Sequence, residues 1–377
     1  MIGQYIAQPA GYRAFIPGPF PPGDIELSKR NRSALETANI ALGRLDGITD
    51  LLPDLEFFIL MYIRKEAALS SQVEGTQATI VDALRAEGEM RSGLPDDVDD
   101  ILRYVDAMNQ GIERLKDLPL SVRLVREVHE TLMQSGGRSH GHVMPGEFRT
   151  TQNWIGGASP NTARYVPPPP HLIGPAMGEL EMFLHDPGSL PILIKAGLAH
   201  AQFETIHPFV DGNGRTGRLL VTFFLCERRI LKRPVLYLSE YYRRNRDTYF
   251  DRLQAYHDRA DVDGWLEFFL QGVAQVAAEA TETVRGINRL REEDVPLVAA
   301  FGKNQETAMR LLRHLYGLPV VSVRNVERVT GLSRTNANRL VAKFVDAGIL
   351  VQTDESVEYG RSFAYKRYLD LFLTSEA

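Results

Sequence analysis

Cysteine is almost absent from this 377-residue chain, and its one thiol, Cys226, cannot form an internal disulfide. Because Cys226 adjoins the apolar run 221–225, we expect a buried and chemically inert side chain. Long hydrophobic runs are absent too, since none reaches the roughly 20 residues of a membrane-spanning helix. The N-terminal residues also lack the charged, apolar and cleavage regions of a signal peptide. These absences argue against a disulfide scaffold and a membrane partner, and they predict a cytoplasmic protein.

The formal net charge of −5 is modest, but the charges are unevenly distributed along the chain. Residues 303–368 contain 11 basic and 6 acidic residues, whereas the rest contains 32 basic and 42 acidic residues. Such asymmetry is typical of an appended module. The length and the 44% of hydrophobic residues predict two or three domains. We place an N-terminal arm and helical region at 1–110, a core at 111–290 and a C-terminal module at 300–370.

The spacing of apolar residues is helical rather than alternating over most of the chain up to residue 287, which predicts a mainly α fold. Residues 190–206 place their apolar side chains on one stripe, whereas 219–226 is apolar nearly all round and predicts a buried central helix. The main hairpin candidate is the segment 148–166, with Gly156 and Gly157 at its turn. The sequence therefore predicts a helical bundle with one small hairpin.

The segment His207–Arg218 combines a base, a carboxylate, a glycine-rich turn and two arginines between two predicted helices. A histidine can accept a proton near neutral pH, a carboxylate can bind a hard cation, and N–H groups at a helix start can bind phosphate. An ordinary turn followed by a surface helix is the alternative. That alternative does not account for Arg215 and Arg218, which share one side of a helix whose other side must be buried. The pattern favours a site that binds a polyphosphate.

This segment resembles the signature of the Fic family, HPFx[D/E]GNGRxxR, at every fixed position. The likeness extends to residues 70–75, 146–149, 165–170 and the C-terminal module. Most Fic proteins transfer AMP from ATP to a hydroxyl side chain of a target protein and release pyrophosphate. The resemblance implies a Fic-fold helical bundle with that activity, with ATP as substrate and Mg²⁺ as cofactor. Relatives that transfer UMP, phosphocholine or phosphate leave another donor open.

The resemblance also implies a role for each residue of the motif. His207 would be the general base that deprotonates the target Tyr, Thr or Ser, and Asp211 would hold Mg²⁺. The backbone from Gly212 to Gly214 would form an anion hole, while Arg215 and Arg218 would bind the β- and γ-phosphates. An aromatic side chain would frame adenine. The residues expected to bind ATP are Gly212, Asn213, Gly214, Arg215, Thr216, Gly217, Arg218 and Tyr249.

A second segment resembles the family's inhibitory helix motif [S/T]xxxE[G/N], here Ser70, Glu74 and Gly75 in a helix at about 62–75. Positions 70 and 74 share one helix face, and Gly75 would end the helix. A serine and a glutamate four apart are common on surfaces, so the pattern alone is weak. Beside the Fic motif it implies autoinhibition, in which Glu74 pairs with Arg218 where the γ-phosphate would bind. Self-modification and removal of AMP from targets remain open.

Two further regions are expected to bind macromolecules. Ile155, Gly156 and Gly157 resemble the family's flap, which docks an extended target segment by strand addition; an ordinary surface hairpin is the alternative.

The C-terminal module is predicted to be a winged helix. It has helices at 323–330 and 334–347, a turn at 331–333 with Ser333 as N-cap, and a two-stranded wing at 351–368. Its second helix, with Arg334, Thr335, Asn336, Asn338 and Arg339, favours a DNA-binding regulator as the rival function. A protein partner or a homodimer contact is the alternative.

Overall fold

The computed structural model describes residues 2–23, 25–52, 54–134, 144–188, 190–357 and 359–373. The protein is mostly helical, which confirms the predicted fold class. The helices are α1 (Lys29–Thr49), α2 (Leu55–Val73), α3 (Ile80–Glu87), α4 (Val98–Arg114), α5 (Val122–Met133), α6 (Ile173–His185), α7 (Ile192–Ile206), α8 (Asn213–Glu227), α9 (Ser239–Arg244), α10 (Arg246–Arg259), α11 (Val262–Ala299), α12 (Gln305–Gly317), α13 (Val323–Thr330), α14 (Arg334–Asp346) and α15 (Lys366–Leu373). No helix in these ranges is both long enough and apolar enough to cross a lipid bilayer.

The N-terminal arm contains a β-hairpin that the sequence analysis did not predict. Strands β1 (Gly3–Ala7) and β2 (Arg13–Pro17) pair antiparallel, with Gly3 opposite Pro17. Phe15 is fully buried, and its ring lies 5.1 Å from that of His257 on α10. The backbone N–H of Phe15 donates to the carbonyl of Val166 at 2.8 Å. The arm is therefore packed against the same part of the molecule as the predicted hairpin 148–166.

Helices α7 and α8 form the centre of the core. The prediction that α8 is buried on all sides is confirmed for residues 219–225. The single apolar stripe predicted for α7 is wrong, because every residue from Leu193 to Ile206 is buried. Periodicity failed here because the helix buries polar side chains as well as apolar ones, such as His200, which is bonded to the Gly217 carbonyl and the Tyr249 hydroxyl, and Glu204.

Helix α2 begins at Leu55 and ends at Val73, so it starts seven residues before the predicted range and stops two residues before its end. Glu74 is its C-cap residue, and Gly75 follows with φ of 106°. Only glycine adopts such a backbone conformation readily, so Gly75 stops the helix as expected. Within this helix, Arg64 contacts Glu87 of α3 and the carbonyl of Gly317 at the end of α12.

Helix α11 continues without interruption to Ala299, past the predicted end of the core at residue 290. It then reaches the C-terminal module, where β3 (Val320–Ser322), β4 (Val351–Gln352) and β5 (Ser362–Ala364) form an antiparallel sheet in the order β3-β5-β4. Helices α13 and α14 begin at the predicted residues, although the Ser333 side chain makes no capping hydrogen bond. The predicted wing is too long, because Lys366–Leu373 forms α15. The division into domains and the winged-helix assignment stay predictions.

Two helical glycines offer a matched test of packing. A methyl group added to Gly111 of α4 would overlap the Phe223 ring of α8, whereas one added to Gly43 of α1 would meet no atom within 4 Å. We expect Gly111→Ala to destabilise the protein by about 1–3 kcal/mol through overpacking. Gly43→Ala should stabilise it by up to about 1 kcal/mol, because alanine favours the helix. Thermal denaturation of both variants checks this, and equal shifts in Tm would contradict the packing of α4 on α8.

Candidate active site

Hydrogen bonds and backbone conformations within the segment itself fix the loop between α7 and α8. His207 ends α7 in the left-handed conformation, with φ of 47° and ψ of 62°, and Gly212 precedes α8 with φ of 74°. The Asn213 side chain accepts the N–H of Phe209 at 2.8 Å and donates to the carbonyl of the same residue at 2.8 Å. A non-glycine residue with positive φ is strained and persists only where its surroundings fix it. The Asn213 bonds provide part of that constraint.

A histidine that the sequence analysis missed holds the loop from behind. His129 of α5 stacks on the fully buried Phe209 ring, with centroids 3.6 Å apart and planes at 4°. Its Nδ1 accepts the N–H of Gly146 at 2.9 Å, so its Nε2 carries the proton and donates to the carbonyl of Asp211 at 3.0 Å. Burial lowers the pKa of His129 to about 4, which keeps the ring neutral. No sequence spacing links residue 129 to residue 211.

Arg149 anchors the other end of the loop. Its Nε donates to the carbonyl of His207 at 2.9 Å, and its Nη2 donates to the carbonyl of Pro168 at 2.6 Å. Burial lowers the pKa of this guanidinium to about 10. Arg149 lies in the segment 146–149 that the sequence analysis singled out without assigning its function. It joins the loop to the segment that follows the predicted flap.

His207 lines a cavity of about 360 Å³ between the loop, α2, α10 and the predicted flap. Burial, and then the positive charge of Arg149, lower the pKa of His207 to about 4. The imidazole is therefore neutral at pH 7 and able to accept a proton. The cavity is lined by Val73, Glu74, Trp154, Ile155, Gly156, Arg164, Tyr165, Glu204, His207, Gly214, Arg218, Arg246, Tyr249, Phe250, Leu253, Gln254 and His257.

The structure brings together the residues of the predicted inhibitory contact. Arg218 donates from Nη2 to Oε1 of Glu74 at 2.8 Å, and from Nε to the hydroxyl of Ser70 at 2.8 Å. A third bond runs from Nη2 to the Ser70 carbonyl at 3.0 Å. Burial alone would lower the pKa of Arg218, but the Glu74 carboxylate raises it above its usual value. The guanidinium thus stays charged although only 4% of the residue is exposed.

Glu74 also lies against the first turn of α8. A Cβ at Gly214 would overlap Oε1 of Glu74 and lie 3.0 Å from Nη1 of Arg218. Only a residue without a side chain lets the carboxylate approach here. The first N–H groups of a helix lack partners within the helix and favour anions. The contact therefore seats a carboxylate where a guanidinium and a helix N-terminus both attract negative charge.

Apart from Tyr249, the other predicted ATP-binding residues lie around this point but do not line the described cavity. The hydroxyl of Thr216 donates to the carbonyl of Gly212 at 2.9 Å, and Gly217 packs against Phe203 and Glu204. Arg215 is largely buried, with its Nη2 3.9 Å from Oδ2 of Asp211. These positions shape the start of α8, and their contact with a nucleotide stays a prediction.

Asp211 is the predicted Mg²⁺ ligand. Its Oδ1 accepts the N–H of Gly212 at 2.7 Å, and its side chain is 43% exposed. Across the described ranges, no group of three His, Cys, Asp or Glu side chains forms a metal site. The chemistry still fits Mg²⁺, which proteins commonly bind through one or two carboxylates together with substrate phosphates.

The predicted flap is less regular than a two-stranded hairpin. A single antiparallel bridge joins Ile155 to Tyr165, and Gly156 and Gly157 turn with φ of 66° and 91°. Ile155 and Gly156 line the cavity, whereas Gly157 packs against the backbone of Thr162. A lone bridge leaves most backbone groups of this segment outside any ladder. That is compatible with strand addition, which remains a prediction.

Tyr249, the predicted adenine-side aromatic, lies on the cavity wall but its hydroxyl faces the core. Nδ1 of His200 lies 3.1 Å from the carbonyl of Gly217, so Nδ1 carries the proton and Nε2 accepts from the Tyr249 hydroxyl at 3.0 Å. The ring stacks on Tyr242 with centroids 4.4 Å apart. Tyr249 is only 2% exposed, and its contact with adenine stays a prediction.

Glu204, one turn before His207 on α7, was not predicted as a site residue. It is 7% exposed, and its Oε2 lies 3.8 Å from Nδ1 of His207. Burial raises its pKa to about 7, against the opposing effect of Arg218. The spacing of three residues, which places two side chains on one helix face, is the signal that would have found it.

Sequence comparisons match two family models to this chain. The model described as "Fic/DOC family N-terminal" matches residues 32–113, and the one described as "Fic/DOC family" matches residues 119–225. Together they cover just over half of the chain. The first match contains Ser70 and Glu74, and the second contains the whole His207–Arg218 segment.

Two relatives illustrate the reach of the similarity. A probable protein adenylyltransferase of Aquifex aeolicus is 26% identical over 240 residues, covering 64% of this chain and 68% of the relative. The protein adenylyltransferase Fic of Drosophila grimshawi is 34% identical over 129 residues, covering 33% of this chain and 23% of the relative. The chain thus spans about two thirds of the bacterial relative and less than a quarter of the fly protein.

Solved structures agree on the fold. A Fic family protein from Desulfovibrio desulfuricans superposes with a TM-score of 0.57 at 18% identity, covering 90% of this chain and 97% of that one. A Fic domain containing signaling protein from Bacteroides thetaiotaomicron gives a TM-score of 0.54 at 20% identity, covering 66% and 97%. At these identities the likeness concerns the fold alone.

The neutral state of His129 generates a prediction about pH. Its pKa is about 4 in the folded protein and about 6.5 when unfolded, so its contribution to stability is present above pH 6.5 and is lost as pH falls toward 4. We expect His129→Gln, which does not titrate, to lower stability at pH 7.5. The difference from wild type should shrink by about 1.4 kcal/mol at pH 5.5. Urea denaturation at both pH values measures it, and a difference independent of pH would contradict a neutral His129.

Proposed function

Because the chain belongs to the Fic/DOC family, we propose that it transfers AMP from ATP to a Tyr, Thr or Ser hydroxyl of a target protein and releases pyrophosphate. The observation that carries the proposal is the carboxylate of Glu74 bound to Arg218 over Gly214. A carboxylate in that position marks an anion site beside a neutral histidine. A polyphosphate at the same site would lie within reach of His207, which lines the same cavity.

In this reaction His207 accepts the proton of the target hydroxyl, and the hydroxyl oxygen attacks the α-phosphorus of ATP. The bond from that phosphorus to the bridging oxygen breaks, and pyrophosphate leaves. The protein's contribution is mainly position and charge, as in other phosphoryl transfers. Arg215 and Arg218 offset the negative charge of the β- and γ-phosphates, and the N–H groups from Gly212 to Gly214 face the charge that develops on the α-phosphate.

Asp211 would hold Mg²⁺ in this reaction, because its carboxylate is the hard oxygen ligand that the ion prefers. When bound, the ion would supply positive charge between the phosphates. Asn213, His129 and Arg149 fix the loop that carries Asp211 and His207. A loop held in place before the substrate arrives does not have to reorganise during the reaction.

The same contact accounts for the proposed autoinhibition. Arg218 cannot bind a γ-phosphate through Nη2 while that group donates to Glu74, and Ser70 fixes the guanidinium on the inhibitory helix. The resting enzyme therefore binds ATP weakly or with its α-phosphate out of line. Glu74 is 42% exposed, so water screens the ion pair and a modest free energy releases it. Self-modification becomes measurable once the carboxylate is removed.

Labelling with ATP that carries radioactive phosphorus at the α position tests transfer and inhibition together. We expect Glu74→Gly to raise labelling of the protein or its targets by about tenfold or more, which corresponds to about 1.4 kcal/mol or more. Adding His207→Ala should abolish it. Glu56→Gly, the same change at the other end of α2 on an exposed residue, is the matched control and should leave labelling at the wild-type level.

ATP labelled at the γ position separates the donors. Label from the γ position would indicate phosphate transfer and overturn the AMP assignment. Equal labelling by wild type and Glu74→Gly, with both proteins folded, would remove the inhibitory role of Glu74. No label from either position, with Mg²⁺ and candidate targets present, would count against adenylyl transfer itself.

A second candidate function concerns the C-terminal module. Arg334, Thr335, Asn336 and Arg339 are exposed along α14, in the part of the chain with excess positive charge. Two further basic residues of the module are engaged elsewhere: Arg328 forms an ion pair with Glu89 at 2.6 Å, and Lys343 lies 5.5 Å from the Phe301 ring centroid. The exposed face of α14 favours binding to duplex DNA through phosphate contacts.

Fluorescence anisotropy with a labelled DNA duplex at several salt concentrations tests this binding. Arg334→Gln combined with Arg339→Gln should weaken binding and reduce the salt slope by about 2, one for each lost phosphate contact. The control is Arg30→Gln with Arg259→Gln, which removes the same charge from exposed residues elsewhere. Equal losses in both double variants would show a nonspecific charge effect, and no binding by wild type would exclude the function.

A further inference from the structure

The buried carboxyl of Glu204 faces the nitrogen of His207 that the proposed reaction leaves unused. Oε1 of Glu204 and Nδ1 of His207 are both buried, and neither has a hydrogen-bond partner. Oε2 of Glu204 lies 3.8 Å from Nδ1, a separation too long for a hydrogen bond but only about 1 Å beyond one. Burying two polar groups without hydrogen-bond partners costs free energy, and a hydrogen bond between them would offset that cost.

The backbone explains why the two groups meet. Glu204 lies in the last turn of α7, and His207 follows as the C-cap, with its N–H bonded to the carbonyl of Phe203 at 2.9 Å. The left-handed conformation of His207 turns the chain while the imidazole stays beside that last turn. On the other side, Oε1 of Glu204 would lie 2.8 Å from a Cβ at Gly217. Helix α8 thus limits how far the carboxyl can move away.

We propose that Glu204 is the positioning residue of His207. Its carboxyl accepts a hydrogen bond from Nδ1–H and so fixes the imidazole in the Nδ1–H tautomer. Nε2 is then unprotonated and faces the target hydroxyl. The inference rests on the proposed adenylyl transfer. When Nε2 accepts the proton of the hydroxyl, Nδ1 keeps the proton that it already carries. The resulting imidazolium lies beside a carboxyl oxygen of Glu204. A carboxylate that orients a histidine and stabilises its charged form is known to raise the rate of such bases.

The charges around the pair agree with this role. Burial and Arg149 together disfavour a positive charge on His207 and lower its pKa to about 4, which makes the isolated imidazole a weak base. Burial raises the pKa of Glu204 to about 7, while Arg218 favours its ionised form and Glu74 opposes it, so this carboxyl can ionise next to the ring near neutral pH. The backbone carbonyl of Glu204 also lies near Nδ1 and is a competing acceptor for its proton.

Nitrogen NMR of the full chain, with labelled nitrogens in its histidine rings, reports the tautomer of each ring directly. The signal of His207 is identified as the one that is missing in His207→Ala. We expect wild type to show the Nδ1–H form at pH 7.5. Glu204→Gln, whose amide oxygen can still accept, should retain this form, and Glu204→Leu should lose it. Glu66→Gln is the matched control. Glu66 is also a buried carboxyl with a pKa raised by burial to about 7, but it accepts from Tyr104 and Ser239.

Kinetics in the Glu74→Gly background give the second measurement. Glu204→Leu should lower kcat by about 100-fold with little change in KM for ATP, and Glu204→Gln should recover part of the loss. A raised KM with an unchanged tautomer would overturn the proposal and make Glu204 a nucleotide contact. An unchanged tautomer and rate would show that the backbone carbonyl suffices. Absence of transfer in the Glu74→Gly parent would refute the proposed function alone, because the NMR result does not depend on it.

Discussion

The buried guanidinium of Arg218 is the constraint on which the site depends. A cation in the interior is tolerated only with hydrogen-bonded partners, since its loss of hydration is otherwise too costly. Those partners, Glu74 and Ser70, come from a different helix, so α2 must dock against α8 with its C-terminal turn beside the loop. Gly214 permits that approach, and Gly75 ends α2 beside it. The position of α2 is thus a consequence of charge burial as well as of apolar packing.

Helix α2 also bears on the C-terminal module. Arg64 bonds to the carbonyl of Gly317, the Phe57 ring packs against the same glycine, and Tyr62 lies edge-on to Phe372 of α15 with centroids 5.7 Å apart. One helix therefore contacts the module along its length and the catalytic loop at its end. The module and the site therefore both contact α2, and the exposed face of α14 belongs to that module.

Local chemistry was readable from the sequence, and contacts between distant segments were not. The limits of α13, the start of α14, the loop from His207 to Gly212 and the role of Gly75 follow from caps, turns and periodicity. The β1-β2 hairpin and the burial of α7 on every side depend on what packs against them. His129 was missed because its partners at 146 and 211 are brought close only by the fold. The Arg218 contact was anticipated because a family motif carried information that spacing alone lacks.

Because Gly214 has no side chain, a substitution there and a substitution of Glu74 would affect their contact in different ways. Any side chain there would collide with the Glu74 carboxylate and crowd Arg218, so it would loosen the contact and obstruct the anion site in the same step. A change at position 74 loosens the contact and leaves the site intact. Under the proposed autoinhibition, a genetic selection for constitutively active forms would therefore recover substitutions of Glu74 and none of Gly214. Position 74 would then be able to vary, whereas Gly214 would have to satisfy both the contact and the anion site.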